Sequence, residues 1–225
     1  MIIGKGLIAN AFANADSDQV VFFASGVSNS LETDLNQFKR EENLVLETLH
    51  KYPDQVFVYF STCSIYDSSK YNSPYVLHKL HIEELIKEKA KQFLILRISN
   101  AVGNGGNPNL LMNYLYRMIK DQQPISIHQN AKRNLIDVKD VKILTLKFLQ
   151  NPDKYNKIYN LAFKDNFSTT EIISSFEAIL NVNTEKNFFN TGESYSIDVD
   201  ELDDYFDKTN KTDYLNNLII NYYTN

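Results

Sequence analysis

The chain has 225 residues, room for one large domain or for a domain with a small lobe at roughly 100 to 200 residues per domain. Its 43% hydrophobic and 23% charged content excludes an intrinsically disordered or collagenous design. Lys and Arg number 23 against 28 Asp and Glu, a net charge of −5, and the densest basic run, Lys87 to Lys91, is interrupted by Glu88; nucleic acid is not expected as a partner. The one cysteine, Cys63, excludes a disulfide framework and a cysteine-based zinc site and suits a reducing compartment. No run approaches the roughly 18 apolar residues of a membrane span and no signal-type segment opens the chain, so a cytoplasmic protein without a membrane partner is expected.

The chain opens with Met1-Ile2-Ile3 and runs into Gly4-Lys5-Gly6-Leu7-Ile8-Ala9, the pattern of a short strand, a tight turn and a helix. A buried strand follows at Val20 to Phe23, ending in Ala24-Ser25-Gly26, and then apolar residues at Leu35, Phe38, Val45, Leu46 and Leu49 give helical spacing up to Pro53. A strand at Val56 to Phe60, a helix from about Tyr75 to Ala90 and a strand at Phe93 to Ile98 continue the alternation, which favours a parallel sheet covered by helices on both faces. Beyond Asn100 come a Gly-rich loop, a helix over Leu110 to Ile119, a short strand at Ile125 to Ile127, a helix around Val141 to Leu149 and a strand at Ile158 to Ala162. Ser168 and Glu171 form a capping box for a helix from about Thr169. The last sixty or so residues keep apolar spacing at Leu215, Leu218, Ile219 and Tyr222 and read as a folded lobe.

Two features carry chemistry. In the glycine turn, a side chain at Gly4 or Gly6 would block close approach of a pyrophosphate to backbone amides, and Ala9 is small enough for close helix-to-strand packing. The same residues also make an ordinary turn with no ligand, so the pattern alone leaves both readings open. The stronger feature is Ser61-Thr62-Cys63-Ser64 at a strand end, followed by Tyr75 and Lys79 one helical turn apart. A lysine ammonium near a phenol stabilises the phenolate and makes the tyrosine a usable acid and base, and a strand-end hydroxyl at Thr62 can hold a substrate oxygen beside it. Taken alone, Tyr75 and Lys79 would equally suit the surface of an amphipathic helix.

With these features, Leu96-Arg97-Ile98-Ser99-Asn100-Ala101-Val102-Gly103 and Arg133-Asn134-Leu135-Ile136-Asp137-Val138-Lys139-Asp140-Val141 complete a set of five landmarks. In this set the chain resembles an extended short-chain dehydrogenase/reductase of the NAD-dependent epimerase/dehydratase type, over its whole length. The resemblance implies an α/β, Rossmann-type doubly wound parallel sheet formed by residues 1–100 and about 134–163. A small substrate-binding lobe would be formed by about 101–133 and 164–225. It implies NAD or NADP held at Gly4, Lys5, Gly6, Leu7, Ile8, Ala24, Ser25, Tyr75 and Lys79, and a nucleotide-sugar substrate held at Thr62, Asn100 and Arg133. Thr62, Tyr75 and Lys79 would be catalytic, with Tyr75 as acid and base; the resemblance is also compatible with a homodimer.

The chain departs from this pattern in two places. Only Asn10 to Gln19 separate the first helix from the strand ending in Ala24-Ser25, too few for a βαβ unit of roughly 30 residues. The usual second and third strands are therefore expected to be missing, and with the second strand goes the residue that grips the adenosine ribose; Asp16 and Asp18 read as solvated turn residues. Cys63-Ser64 also follow Thr62, where the 4,6-dehydratases that resemble this family carry Asp-Glu, which disfavours dehydration. Cys63 itself is expected to be a small packed residue pointing away from the site. Metal binding at His78 and His81, serine-nucleophile chemistry and a cation site in the acidic run Asp198 to Asp207 are set aside, the last as a solvated helix. Two functions stay in view: a sugar-nucleotide reductase or epimerase of polysaccharide-precursor synthesis, and a non-catalytic, cofactor-deficient binding or regulatory member of the same family.

Overall fold

The computed structural model describes residues 1–15 and 17–224; Asp16 lies outside them. Five strands form the main sheet: β1 (Ile2–Ile3), β2 (Val20–Phe23), β3 (Val56–Thr62), β4 (Phe93–Ile98) and, later in the chain, β8 (Lys157–Leu161). They lie side by side in that order and every neighbouring pair is parallel. All seven residues of β3 are buried, as a strand covered on both faces requires. Between the first three strands run α1 (Leu7–Ala11) and α2 (Leu35–Lys51), and α3 (Pro74–Lys89) joins β3 to β4. The serine before α3 starts it: the Ser73 hydroxyl accepts from Val76 N–H, with Pro74 in the first turn.

The remaining elements are β5 (Asn100–Val102), α4 (Leu111–Lys120), β6 (Ile125–His128), β7 (Lys132–Asp137) and α5 (Val138–Leu149), then β9 (Asn166–Ser168), α6 (Thr169–Leu180), β10 (Lys186–Phe189), the short α7 (Asp203–Phe206) and α8 (Lys211–Tyr223). β5 runs parallel to β7 and β7 antiparallel to β9, while β6 pairs in parallel with β10. The capping box at Ser168 and Glu171 is present. No helix among the described residues is long and apolar enough to cross a membrane.

Alternate residues of the main sheet feed two cores. Phe22, Val58, Phe60, Leu94 and Leu96 pack with Phe12, α4, α5, α6 and α8 on one face. Val21, Phe23, Phe57, Tyr59 and Ile95 pack with Val45 and Leu49 of α2 and Ile82 and Ile86 of α3 on the other. α1 thus lies on the opposite side of the sheet from α2 and α3, held by Phe12 against Phe22 and Phe60. The steps β1 to β2, β2 to β3 and β3 to β4 all go the same way across the sheet, so the α1 connection has the opposite hand to the next two. The right-handed rule can hold for one set and not for both. This follows when α1 keeps its side of the sheet but no strand pair lies between it and β2, and β1 becomes an edge strand.

Several details differ from the sequence reading. β5, β7, β9 and β10 lie where no strand is expected: β5, β9 and β10 have only three or four residues, and β7 opens on the polar Lys132, Arg133 and Asn134. Cys63 is not on a strand: it opens a 3₁₀ turn, Cys63–Tyr66, so strand alternation does not set its direction; it is buried as expected, but it lines the cavity at the strand ends instead of lying away from it. The acidic run carries a 3₁₀ turn and the short α7, and it is not wholly solvated, since Leu202 and Phe206 enter the core. On α2 the buried stripe is Phe38, Glu41, Val45, Thr48 and Leu49, with Leu35 and Leu46 outside it.

Candidate active site

Four successive parallel strands end at one edge of the sheet, where open α/β sheets bind ligands. A cavity of about 720 Å³ opens there, within the range of roughly 300 to 1,000 Å³ usual for small-molecule sites. The turn after β1 contributes Lys5, Gly6, Leu7 and Ile8, the end of β2 gives Ala24 and Ser25, the end of β3 gives Thr62, and the chain after β4 gives Asn100. Tyr75, Lys79 and Arg133 also line it. Of the residues assigned to the site from sequence, only Gly4 is not in the wall. Its φ is +134°, and a Cβ there would stand 2.3 Å from the Ala24 carbonyl oxygen, so Gly4 serves the packing of β1 on β2. Gly6 is different: a Cβ would meet no atom within 4 Å, because it would project into open space beside the cavity.

Tyr75 sits at the second position of α3, buried, and Lys79 lies one turn further on the same face. The Lys79 ammonium is 6.0 Å from the centre of the Tyr75 ring. Thr62 is buried at the end of β3, its hydroxyl accepting from Ser64 N–H at 3.0 Å. The Asn100 side chain donates to the Asn134 carbonyl at 2.7 Å, and Arg133 donates to the carbonyls of Lys132 and Glu193 at 2.8 Å. Both therefore have protein partners as well as a place in the cavity wall.

A buried polar cluster behind the cavity was not found from sequence. Lys79 Nζ lies 3.0 Å from Glu41 Oε1 and 3.0 Å from the Tyr59 hydroxyl, which itself donates to Glu41 Oε1 at 2.6 Å. The other oxygen of Glu41 accepts from Val27 N–H at 2.6 Å and lies 3.1 Å from His78 Nε2. Burial raises the Glu41 pKa, but the Lys79 charge and the bonds from His78, Tyr59 and Val27 outweigh it and hold the carboxyl well below its ordinary range. Burial, with the Glu41 charge behind it, drives the Tyr59 phenol well above its ordinary value, so Tyr59 stays a donor. One turn along α3, Glu83 takes Arg97 through two bonds at 2.9 and 2.6 Å and the Ser61 hydroxyl at 2.5 Å. A signal for the first cluster exists in the sequence: Phe38, Glu41, Val45 and Leu49 follow helical spacing, which puts a carboxylate in an apolar stripe.

The charge of the cavity runs against that of the protein. Lys5, Arg40, Lys70, Lys79 and Arg133 line it, and no Asp or Glu among the described residues does, in a chain of net charge −5. Burial and the nearby Arg133 lower the pKa of Lys70, against the pull of Asp67. The Tyr195 phenol, also in the wall, is pushed up to about 12 by burial. Such a cavity is suited to phosphate-bearing ligands. Arg40 donates to the Ser25 carbonyl at 3.0 Å, at the end of the cavity nearest the edge strand, and no carboxylate among the described residues lies in the wall to bind a ribose diol.

A parallel, helix-covered sheet with a glycine turn and a Thr/Tyr/Lys set at its carboxyl edge defines a Rossmann-type α/β protein. The model of the NAD dependent epimerase/dehydratase family matches residues 2–162, well over half of the chain, and the protein belongs to that family. Among solved structures, the fold is similar to MoeE5 in complex with UDP-glucose and NAD, at 18% identity and a TM-score of 0.71, covering 90% of this chain and 78% of that one. It is also similar to UDP-glucuronic acid 4-epimerase from Bacillus cereus in complex with UDP-glucuronic acid and NAD, at 20% identity and a TM-score of 0.72, covering 88% and 73%. A third, RMD from Pseudomonas aeruginosa complexed with NADPH, has 19% identity and a TM-score of 0.65, covering 83% and 74%. No curated protein matches the chain.

Proposed function

We propose that the protein is an NAD(P)-dependent reductase or epimerase of a nucleotide-linked hexose or keto-hexose, acting in the synthesis of polysaccharide precursors. The observation that carries this reading is the convergence of Thr62, Tyr75 and Lys79 with the glycine turn on one cavity lined by cations and, among the described residues, by no carboxylate. Family membership and the UDP-sugar complexes of the similar structures support it. The residues present fit a dinucleotide at its pyrophosphate and nicotinamide ends: Gly6 leaves the room a phosphate needs, and Lys5 adds charge beside it. When bound, the nicotinamide supplies or removes hydride at a sugar carbon.

The protein's own groups do the rest. Tyr75 gives a proton to the carbonyl oxygen in reduction and takes it back in oxidation, which stabilises the developing alkoxide. Thr62 holds that oxygen beside the phenol. An ammonium has three hydrogens; Lys79 directs two to Glu41 and Tyr59 and keeps one for a ribose hydroxyl. Asn100, Arg133 and Lys70 form the wall suited to a nucleotide diphosphate, and residues 101–133 and 164–225 serve as the substrate lobe. Dehydration is not assigned, because Cys63 and Ser64 cannot supply the acid and base that elimination requires.

The test is turnover on a panel of 4-keto and 4-hydroxy sugar nucleotides. Tyr75→Phe is expected to lose about 10² to 10⁴ in rate while keeping its fold and cofactor affinity, and Lys79→Met to lose both rate and affinity. Full activity in Tyr75→Phe contradicts the catalytic assignment. The short interval from Asn10 to Gln19, which leaves no room for the usual second strand, favours a second reading, a cofactor-deficient binding member, which predicts sugar-nucleotide binding without turnover by the native protein.

A further inference from the structure

We propose that Glu41 is the positioning residue for Lys79: a buried carboxylate that fixes the ammonium in the cavity wall and so governs how Lys79 meets the nicotinamide cofactor. The inference rests on the function proposed above. Glu41 is 0% exposed, and placing a carboxylate there costs several kcal/mol unless its oxygens are all satisfied. They are satisfied by three separate segments: Val27 N–H from the loop after β2, the Tyr59 hydroxyl from β3, and His78 and Lys79 from α3. Val27 and Lys79 both line the cavity. A single side chain of α2 therefore ties two of its walls together.

Two further observations set this pair apart from a structural salt bridge. A Cβ on Gly26 would stand 2.5 Å from Lys79 Nζ and 2.8 Å from Glu41 Oε1, so the loop after β2 is shaped to the pair. The neighbouring pair, Arg97 and Glu83, keeps its cation out of the cavity wall, whereas Lys79 is in it. The groups that face Lys79 are Glu41 from α2, Tyr59 from β3, and Tyr75 and His78 from α3, with Glu83 one turn beyond. Of these, Glu41 is the negative charge at contact distance. Without it the buried ammonium has no counter-charge, and burial favours the neutral amine.

The experiment follows NADH and NADPH affinity by nicotinamide fluorescence from about pH 6 to about pH 9, in the native protein, in Glu41→Gln and in Glu41→Gln combined with Lys79→Met. Native affinity is expected to be level across the range. Glu41→Gln should be weaker than native at the acid end, where the ammonium is charged but no longer fixed, and should then lose about a further tenfold for each pH unit once the amine gives up its proton. The double variant should be level and weak. A Glu41→Gln profile that is level, whether at native strength or uniformly reduced, overturns the proposal. If Glu41→Gln does not fold, Glu41→Asp carries the test, since it keeps the charge but draws it back from the ammonium that Glu41 Oε1 meets at 3.0 Å: a loss of affinity that grows towards pH 9 supports the proposal and a level profile overturns it. Absence of NADH and NADPH binding by the native protein at every pH overturns the proposed function and this inference together, whereas native binding with a level Glu41→Gln profile overturns only the inference.

Discussion

Lys79 and Glu41 bury opposite charges 3.0 Å apart, and Lys79 is only 2% exposed, so each depends on the other to remain charged in a poorly solvated place. The consequence for stability follows from the depressed pKa of Glu41. Its ordinary value is 4.5, and below that the unfolded chain binds a proton that the folded one refuses. The carboxylate's contribution is then complete above about pH 4.5 and is lost as the pH falls through the window down to the folded value. Equilibrium unfolding in denaturant at a series of pH values should show this acid limb in the native protein. Glu41→Gln should flatten it and, by stranding Lys79, cost about 3 to 5 kcal/mol near neutrality. An unchanged acid limb in Glu41→Gln would contradict the account. Lys79 was assigned to the site from sequence and lines the cavity; its partner was not found, because the pairing joins α2 to α3 across 38 residues. The signal was an acid in the apolar stripe of α2, which an inventory of catalytic motifs passes over.

The order of the main elements was legible because β2, β3 and β4 are dense apolar runs and α2 has a clear helical period, whereas the buried face of α3 mixes Val76, Ile82 and Ile86 with His78, Lys79 and Glu83. β7 was not legible as a strand, although its residues were recognised as a motif: Lys132, Arg133 and Asn134 are polar, and their partners lie at Asn166 to Ser168. The C-terminal helix shows how polar groups can anchor an element. The Tyr214 hydroxyl donates to Asp140 at 2.7 Å and accepts from Asp137 N–H at 2.8 Å, while its ring stacks on Phe163 at 4.1 Å. Tyr222 donates to Asp137 and Tyr205 to the other oxygen of Asp140. Tyr214 is in the core and Tyr205 and Tyr222 pack against it, with hydroxyls that join α8 and α7 to the start of α5. Tyr214→Phe keeps the ring and leaves Asp137 N–H without its acceptor, so a loss of about 1 to 3 kcal/mol is expected, read as a lower denaturation midpoint with an unchanged slope. No change in the midpoint would mean that the stacked ring alone docks α8.

At the scale of the whole molecule, the missing strand pair has two effects. It leaves β1 as an edge strand of two residues, and it removes the strand end from which a ribose carboxylate would reach the adenosine half of a dinucleotide. The short interval from Asn10 to Gln19 made this absence legible in the sequence. The cation-lined cavity was not legible, because Lys5, Arg40, Lys70 and Arg133 come from four separate stretches of an acidic chain. The central claim is that this cavity still holds a nicotinamide dinucleotide through its glycine turn. A fluorescence titration of the native protein and of Gly6→Val with NADH and NADPH tests it most directly, since a Cβ at Gly6 meets no protein atom and the variant should fold. Saturable binding by the native protein that is abolished in folded Gly6→Val is the predicted result; equal affinity in the two proteins, or none in the native one, would contradict it.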